Sequence, residues 1–295
     1  MPRQPATAIR ALAPLTLLLA ACAQGSPAES AGGRADPRDY GTPGVHEITL
    51  SVRGADRTYS LLVPASYDGS APVPLVLAFH GYTMSPNAVV YGAWAKLAEE
   101  YGFILAAPAG IDAQWEVATD QAEAAAALPN SEVDLAEFPT GDRDVIFAAA
   151  VLADVTEYLL VDQDRILVTG ESLGGFMASR VACEMGEAFA ALGPTLSSLL
   201  YSTPCLTDDG VAVISVGHLL DTTHAVADAE TAAAAWAAHN GCGSTIDESM
   251  PEDLVTAYAY TSCPAAAPVS LVIHDRRWAD DADERVIWEF FTSLP

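Results

Sequence analysis

The chain has 295 residues, 51% of them hydrophobic, which allows one large or two small domains and excludes wholesale disorder. Thirty-nine acidic residues against 13 basic ones give a net charge of −26 and exclude nucleic acid as a partner, because its phosphates would be repelled. The same field favours a neutral substrate and would repel an anionic product on release.

Residues 1–22 read MPRQPATAIRALAPLTLLLAAC. Arg3 and Arg10 form a positive leader with no acid, and the apolar run after them is too short to span a bilayer comfortably. Residues 1–21 are therefore expected to be a signal peptide. Leu19–Cys22 resembles a bacterial lipobox, which implies lipidation of Cys22 and anchoring to the extracytoplasmic side of a bacterial membrane; an ordinary secretory signal is the alternative, and both export the chain. Cleavage takes two of the 13 basic residues and none of the 39 acids, leaving a net charge of −28. Residues 22–44 are rich in Gly, Pro, Ala and Ser and are expected to be a flexible tether, with one catalytic domain over 45–295.

Within that domain, short aliphatic runs alternate with helical patterns, which predicts an α/β architecture. VHEITLSV (45–52) and RTYSLLVP (57–64) flank RGAD and predict a hairpin. PLVLAFHG (74–81) is uniformly apolar, as a buried parallel strand is. A helix is expected from Pro86, with Ser85 as N-cap, Val90, Trp94, Leu97 and Tyr101 on one face, and Gly102 as its stop. FILAAPAG (103–110) is the next strand. Residues 111–143 are alanine-rich, acidic and without a strong period; they form either a substrate-shaping excursion or a solvated spacer. Trp115 within them is either a pocket wall or a core side chain. A helix over 144–160 follows.

RILVTG (165–170) is a strand, and 173–185 an amphipathic helix, with GESLG (170–174) at their junction. That run fits G-x-S-x-G, which gains meaning between a strand and a helix. The glycines let strand and helix approach where Cβ atoms would clash. The turn pushes the Ser172 hydroxyl out near the helix N-terminus, where the dipole favours developing negative charge. A serine that only capped the helix would not require Gly170, Gly174 and Gly175, so Ser172 is expected to be a nucleophile.

Such a serine needs a base held by a carboxylate. The order in an α/β-hydrolase is Ser, acid, His. VAVISVG (211–217) is a strand and Asp221 follows its carboxyl end, which makes it the candidate acid; Asp208 and Asp209 precede the strand. An alanine-rich helix covers 225–239. VSLVIH (269–274) is the last strand, and His274 at its end is the candidate base ahead of His218 and His224, with His239 read as structural. Backbone N–H groups of Leu173 and Tyr82 are expected to form the oxyanion hole, and His80 to support its loop. A closing helix over 283–291 packs Val286, Trp288 and Phe291 on the sheet.

The segments PLVLAFHG, GESLGGFMASRVACEM, WAAHNGC and VIWEFF, in that order, resemble the polyhydroxybutyrate depolymerase and feruloyl or acetylxylan esterase group of α/β-hydrolases over about residues 45–293. The resemblance implies an α/β-hydrolase fold, a mostly parallel central sheet with helices on both faces, and a serine esterase with no metal or organic cofactor. It departs from the group in two places. VGHLLD (216–221) replaces His-Gly-Thr-x-Asp before the acid. VIHDRRWADD (272–281) keeps His274 and a tryptophan, Trp278, but loses the glycine and proline of Gly-His-x-Trp-Pro-Gly. Trp278 joins Trp115 as a candidate pocket residue.

With Cys22 set aside, four cysteines remain, and export makes disulfides plausible. The economical pairing is Cys183–Cys205 and Cys242–Cys263, each loop worth on the order of 3 kcal/mol, among three connectivities the sequence permits. The resemblance supports Cys242–Cys263. No Cys-x-x-Cys or His-rich cluster points to a structural metal. The sequence thus predicts an exported serine esterase acting on a neutral ester. A non-catalytic binding lipoprotein of the same fold, and an acyltransferase or peptidase using the same triad, are the alternatives.

Overall fold

A computed structural model describes residues 40–122, 139–197, 205, 210–221, 226–252, 254–276 and 280–295. The predicted hairpin forms from β1 (Gly44–Val52) and β2 (Ala55–Val63), which pair antiparallel. Arg53 and Gly54 between them both have positive φ, the two-residue turn that matches strand twist. The domain reaches further back than 45. Tyr40 is buried against Tyr158, and its hydroxyl donates to Asp154 at 3.0 Å.

β3 (Val73–Phe79), β4 (Ile104–Pro108), β5 (Val161–Glu171), β6 (Ala191–Thr195) and β7 (Ala212–His218) follow in chain order. β8 (Ile246–Glu252), β9 (Val255–Tyr260) and β10 (Val269–His274) complete a sheet of order β1-β2-β4-β3-β5-β6-β7-β10-β9-β8. From β4 to β10 the neighbours are parallel; β1, β2, β8 and β9 join antiparallel at the edges.

Helices α1 (Pro86–Val90), α2 (Ala93–Tyr101), α3 (Arg143–Tyr158), α4 (Leu173–Glu184), α5 (Val226–His239) and α6 (Asp281–Ser293) cover both faces. Phe147 and Val151 of α3, Phe176 of α4 and Trp236 of α5 enter one core. Trp94 and Leu97 of α2 and Ile287, Trp288 and Phe291 of α6 enter the other. The architecture is the expected α/β-hydrolase fold.

Three local expectations change. The helix begun at Pro86 breaks at Tyr91–Gly92, where Gly92 is extended, and Ser85 makes no side-chain cap. The break lets α1 and α2 turn separately onto the sheet. β6, ALGPT, has no helical or strand signal of its own; β5 and β7 on either side supply its ladder. The β8–β9 hairpin likewise has no strand pattern of its own, because IDESMPE is acidic and carries Pro251, features of an edge strand. Gly102 caps α2 at φ 76°, as expected. Both expected disulfides form, Cys183–Cys205 and Cys242–Cys263.

Candidate active site

β5 ends at Glu171 and α4 begins at Leu173, so one residue, Ser172, makes the turn. It sits at φ 52°, ψ −120°, a conformation that costs an L-residue on the order of 1–3 kcal/mol and persists where surroundings enforce it. They do so here. Ser172 N–H donates to Thr195 O at 2.9 Å, tying the turn to β6. A Cβ on Gly170 would lie 2.2 Å from Gly174 O, and one on Gly174 would lie 2.1 Å from Phe79 O. The strand, the turn and the loop after β3 touch through backbone alone. Ser172 does not cap α4 with its side chain. Ser172 is half-buried at the carboxyl edge of the sheet. This is the geometry of a strained nucleophile turn.

The two N–H groups predicted as oxyanion donors belong to Leu173, the first residue of α4, and Tyr82, in the loop after β3. Neither donates to another group among the described residues. Their loop is held from behind. His80 Nδ1 contacts Gly81 O at 2.9 Å, and its Nε2 accepts from Gly110 N at 3.0 Å. With both ring nitrogens engaged, His80 is a neutral support, and burial holds its pKa below the ordinary histidine value. Trp115 donates to His80 O at 2.8 Å and packs on Phe79 and His80. It is fully buried, so the pocket-wall expectation for Trp115 is corrected: it belongs to the core under the loop. Hydrophobic burial decided a choice that sequence left open.

The ends of the 111–143 excursion are pinned to the body. Arg180 of α4 donates to Glu116 O and Gly141 O, each at 2.7 Å, and to Glu184 Oε1 at 2.6 Å. Asp144 Oδ2 accepts Glu116 N at 2.7 Å, while Arg57 pairs with Asp144 Oδ1 at 2.6 Å. Residues 123–138 between these ends lie outside the described residues.

The predicted acid and base stand on neighbouring strand ends. His274 is the last residue of β10 and pairs in register with His218, the last of β7. Asp221 follows three residues later, its N–H donating to His218 O at 3.2 Å. Among the described residues Asp283, in the first turn of α6, stands against both His218 and His274. Its Oδ2 lies 2.9 Å from His218 Nε2, and its Oδ1 3.6 Å from His274 Nε2. Arg276 also pairs with Asp283 Oδ1. Sequence reasoning missed Asp283; its signal is a first-turn acid on the buried face of the last helix. Burial lowers the pKa of His274, with Asp283 opposing and Arg276 and His218 assisting.

β6 and β7 lie between β5 and β10, so Ser172 and His274 follow strands three spacings apart, about 14 Å. No hydrogen bond joins Ser172 Oγ to an imidazole among the described residues. His224 and Trp278 lie outside the described residues, as does Cys22.

Behind the turn is a small cavity of about 50 Å³, lined by Glu171, Glu284, Thr195 and Trp94 among others. Burial raises the pKa of both acids, Glu284 to about 8. No group of three or more candidate metal ligands occurs among the described residues.

Comparison with known proteins points the same way. No protein-family model matches the chain. Over 210 residues it is 29% identical to feruloyl esterase C of Emericella nidulans, spanning 69% of this chain and 67% of that one. Feruloyl esterase D of Neurospora crassa is 24% identical over 279 residues, 83% of this chain and 84% of that one. The chain spans 65% of the length of the "Probable feruloyl esterase C" of Aspergillus flavus, at 28% identity over 68% of its own length. An acetyl xylan esterase from Aspergillus awamori superposes with a TM-score of 0.59 at 15% identity, over 84% of this chain and 99% of that one. LpqC, a poly(3-hydroxybutyrate) depolymerase from Bordetella parapertussis, superposes with a TM-score of 0.56 at 15% identity, over 86% and 93%. These structures share the α/β-hydrolase fold, and the sequence relatives are similar to the esterase group that the motifs resemble.

Proposed function

We propose that this protein is a carboxylic-ester hydrolase acting through an acyl-enzyme on Ser172. The observation that carries the proposal is the strained turn: a serine at φ 52°, closed around by backbone contacts that exclude any Cβ at Gly170 and Gly174. In the reaction the Ser172 oxygen attacks the ester carbonyl as a base removes its proton. The Tyr82 and Leu173 N–H groups hold the oxyanion, each donor worth on the order of 3 kcal/mol. The alcohol leaves with that proton. Water, activated by the same base, then releases the acid from Ser172 and restores the hydroxyl. His274 is assigned as base and Asp221 as acid, on their places at the ends of β10 and β7.

The substrate class is a neutral, apolar ester. Tyr82, Met84, Ile111, Leu219, Leu220 and Leu254 are exposed in the loops at the carboxyl edge of the sheet. Feruloyl, acetyl and hydroxybutyrate esters all suit such a rim.

Fluorophosphonate labelling and turnover of p-nitrophenyl acetate test the proposal together. Labelling at Ser172 is expected, and Ser172→Ala should lose turnover by at least about 10³-fold. Equal turnover in that variant would remove the proposal. Labelling that survives His274→Ala but not His224→Ala or His218→Ala would move the base. Among the described residues no bond joins Ser172 Oγ to an imidazole, which favours one second reading, a non-catalytic binder of esters that predicts no labelling at all.

Two disulfides fit an oxidising compartment, which supports export. Lipidation at Cys22 is part of the proposal. The exported protein should partition into the detergent phase and Cys22→Ala into the aqueous phase; aqueous partitioning of the wild-type protein would refute the anchor.

A further inference from the structure

We propose that Glu284 is a positioning residue for the esterase site, a neutral carboxylic acid that shares the cavity behind the Ser172 turn with Glu171 and whose ionisation in alkali drives that turn out of its productive geometry. The inference rests on the ester-hydrolase reading and adds to it an alkaline limit that the serine and its base do not supply.

The cavity holds about 50 Å³, room for about one water. Both halves of the site form its walls. Gly170 and Glu171 lead into Ser172, and Gly81 and Met84 flank Tyr82 in the loop after β3. Glu171 ends β5, and Glu284 comes from the first turn of α6. Oε2 of Glu284 is buried and has no hydrogen-bond partner among the described residues. A carboxylate in such a place needs a donor or a cation. The bases nearby are committed elsewhere. Arg276 pairs with Asp280 and Asp283, Arg285 with Glu100 and the Tyr101 hydroxyl, and Lys96 with Asp281. His218 and His274 stand against Asp283 at 2.9 and 3.6 Å. His80, on the cavity wall, has both ring nitrogens engaged by main chain.

The charges that do act on Glu284 are negative: Asp283, Glu171 and Asp281, opposed by its own backbone N–H. Burial is the largest effect, and together they push its pKa up to about 8. Glu171 is raised as well, by burial and then Asp283, against His218. With Glu284 neutral, the cavity holds at most one charge. Once its proton passes to solvent, a second carboxylate stands near Glu171, the residue before Ser172. The two repel, and water must enter to solvate them. Ser172 already sits at φ 52°, and a displacement of about 1 Å at a reacting group costs about 10²-fold in rate. An imidazole base gains activity as pH rises through its own pKa and then stays level, so a loss near pH 8 reports a different group.

The experiment measures kcat and KM on p-nitrophenyl acetate, corrected for enzyme-free hydrolysis, and the rate of fluorophosphonate labelling, across neutral and alkaline pH in the full mature protein. Circular dichroism at each pH shows whether the chain is folded. Wild type should lose about 10-fold in kcat/KM between about pH 7 and pH 9, chiefly in kcat. Glu284→Gln, which stays uncharged, should remove that limb, raising the ratio of rates at pH 9 and pH 7 about 10-fold over wild type. ¹³C NMR of protein labelled at the glutamate side-chain carboxyls reads the proton directly. One resonance should titrate near pH 8, be absent from Glu284→Gln, and titrate at lower pH in Glu171→Gln, where a like charge is gone. The wild-type and Glu171→Gln spectra carry the test should Glu284→Gln not fold. No carboxyl titrating near pH 8, a limb unchanged in Glu284→Gln, a limb that coincides with loss of circular dichroism, or a level profile in an active enzyme overturns the inference. Absence of turnover and labelling at every pH would instead sink the ester-hydrolase reading and the positioning role with it, while the NMR titration still decides whether Glu284 holds its proton.

Discussion

At the turn between β5 and α4, the chemistry depends on atoms that are missing. Gly174 brings the first turn of α4 against the carbonyls of Phe79 and His80, which would lie 2.1 and 2.6 Å from an added Cβ. Those oxygens are main chain, and the loop that bears Tyr82 N–H hangs from them. Gly174→Ala must therefore push the helix from the loop and spread the Leu173 and Tyr82 N–H groups proposed as oxyanion donors. A misplacement of about 1 Å there costs about 10²-fold in rate. Gly174→Ala is expected to lose that much kcat/KM on p-nitrophenyl acetate, and a variant within a factor of three of wild type would show that the contact is relaxed at no cost.

At the scale of elements, α4 does two jobs. Its N-terminus carries the turn, and Arg180 two turns later clamps the two ends of the excursion that leaves β4 and returns to α3. The guanidinium satisfies the carbonyls of Glu116 and Gly141 in a place where water is excluded, Arg180 itself being 2% exposed. Arg180→Met keeps the apolar stem and removes both donors, leaving buried carbonyls at about 1–3 kcal/mol each. Limited proteolysis between Val117 and Gly141, followed by mass spectrometry, should run faster in the variant at matched global stability. Equal cleavage rates would show that Trp115 and the Arg57–Asp144 pair suffice. Arg180 is legible in the sequence as a cation on a helix otherwise apolar on that side. Its partners are not, because they are backbone carbonyls 39 and 64 residues away in the chain.

Across the whole molecule, the acidic excess reaches into the interior. Glu171 and Glu284 face the cavity behind the turn, with Asp283 beside them, and burial is the first cause of the upward shift of both glutamic acids. An acid whose folded pKa is raised binds its proton more tightly in the folded state. Stability is then fully present below the unfolded pKa, near 4.5, and declines as pH rises toward the folded value of about 8 for Glu284. Urea unfolding should show the midpoint falling between pH 5 and pH 8. Glu284→Gln, which cannot ionise, should remove most of that fall and match wild type near pH 4. A variant whose midpoint falls as steeply as wild type would place the pH dependence elsewhere, Glu171 being the next candidate.

How much of this was legible follows from what each feature depends on. The β5 to α4 junction was readable because its determinants are consecutive: an aliphatic strand, G-x-S-x-G, and an amphipathic helix in one stretch of 20 residues or so. The parallel strands β3, β5, β7 and β10 were readable because burial on both faces demands continuous apolar runs. The disulfide pairs were readable as near neighbours. β6 and the β8–β9 hairpin were hidden, since their strand character comes from the ladders beside them. The role of Trp115 was equally hidden, because burial is a property of the packed chain. Asp283 is the sharpest case. Nothing in DDADERVIWEFF distinguishes it from Asp280 or Asp281, and only the register of β7 with β10 and the seating of α6 bring two imidazoles and a guanidinium to that one carboxylate. The sequence by itself determined the fold class and the glycine-flanked serine turn between β5 and α4, because steric and hydrophobic rules act locally along the chain. Tertiary structure alone decided which charges meet, because electrostatic partners are chosen by distance in space.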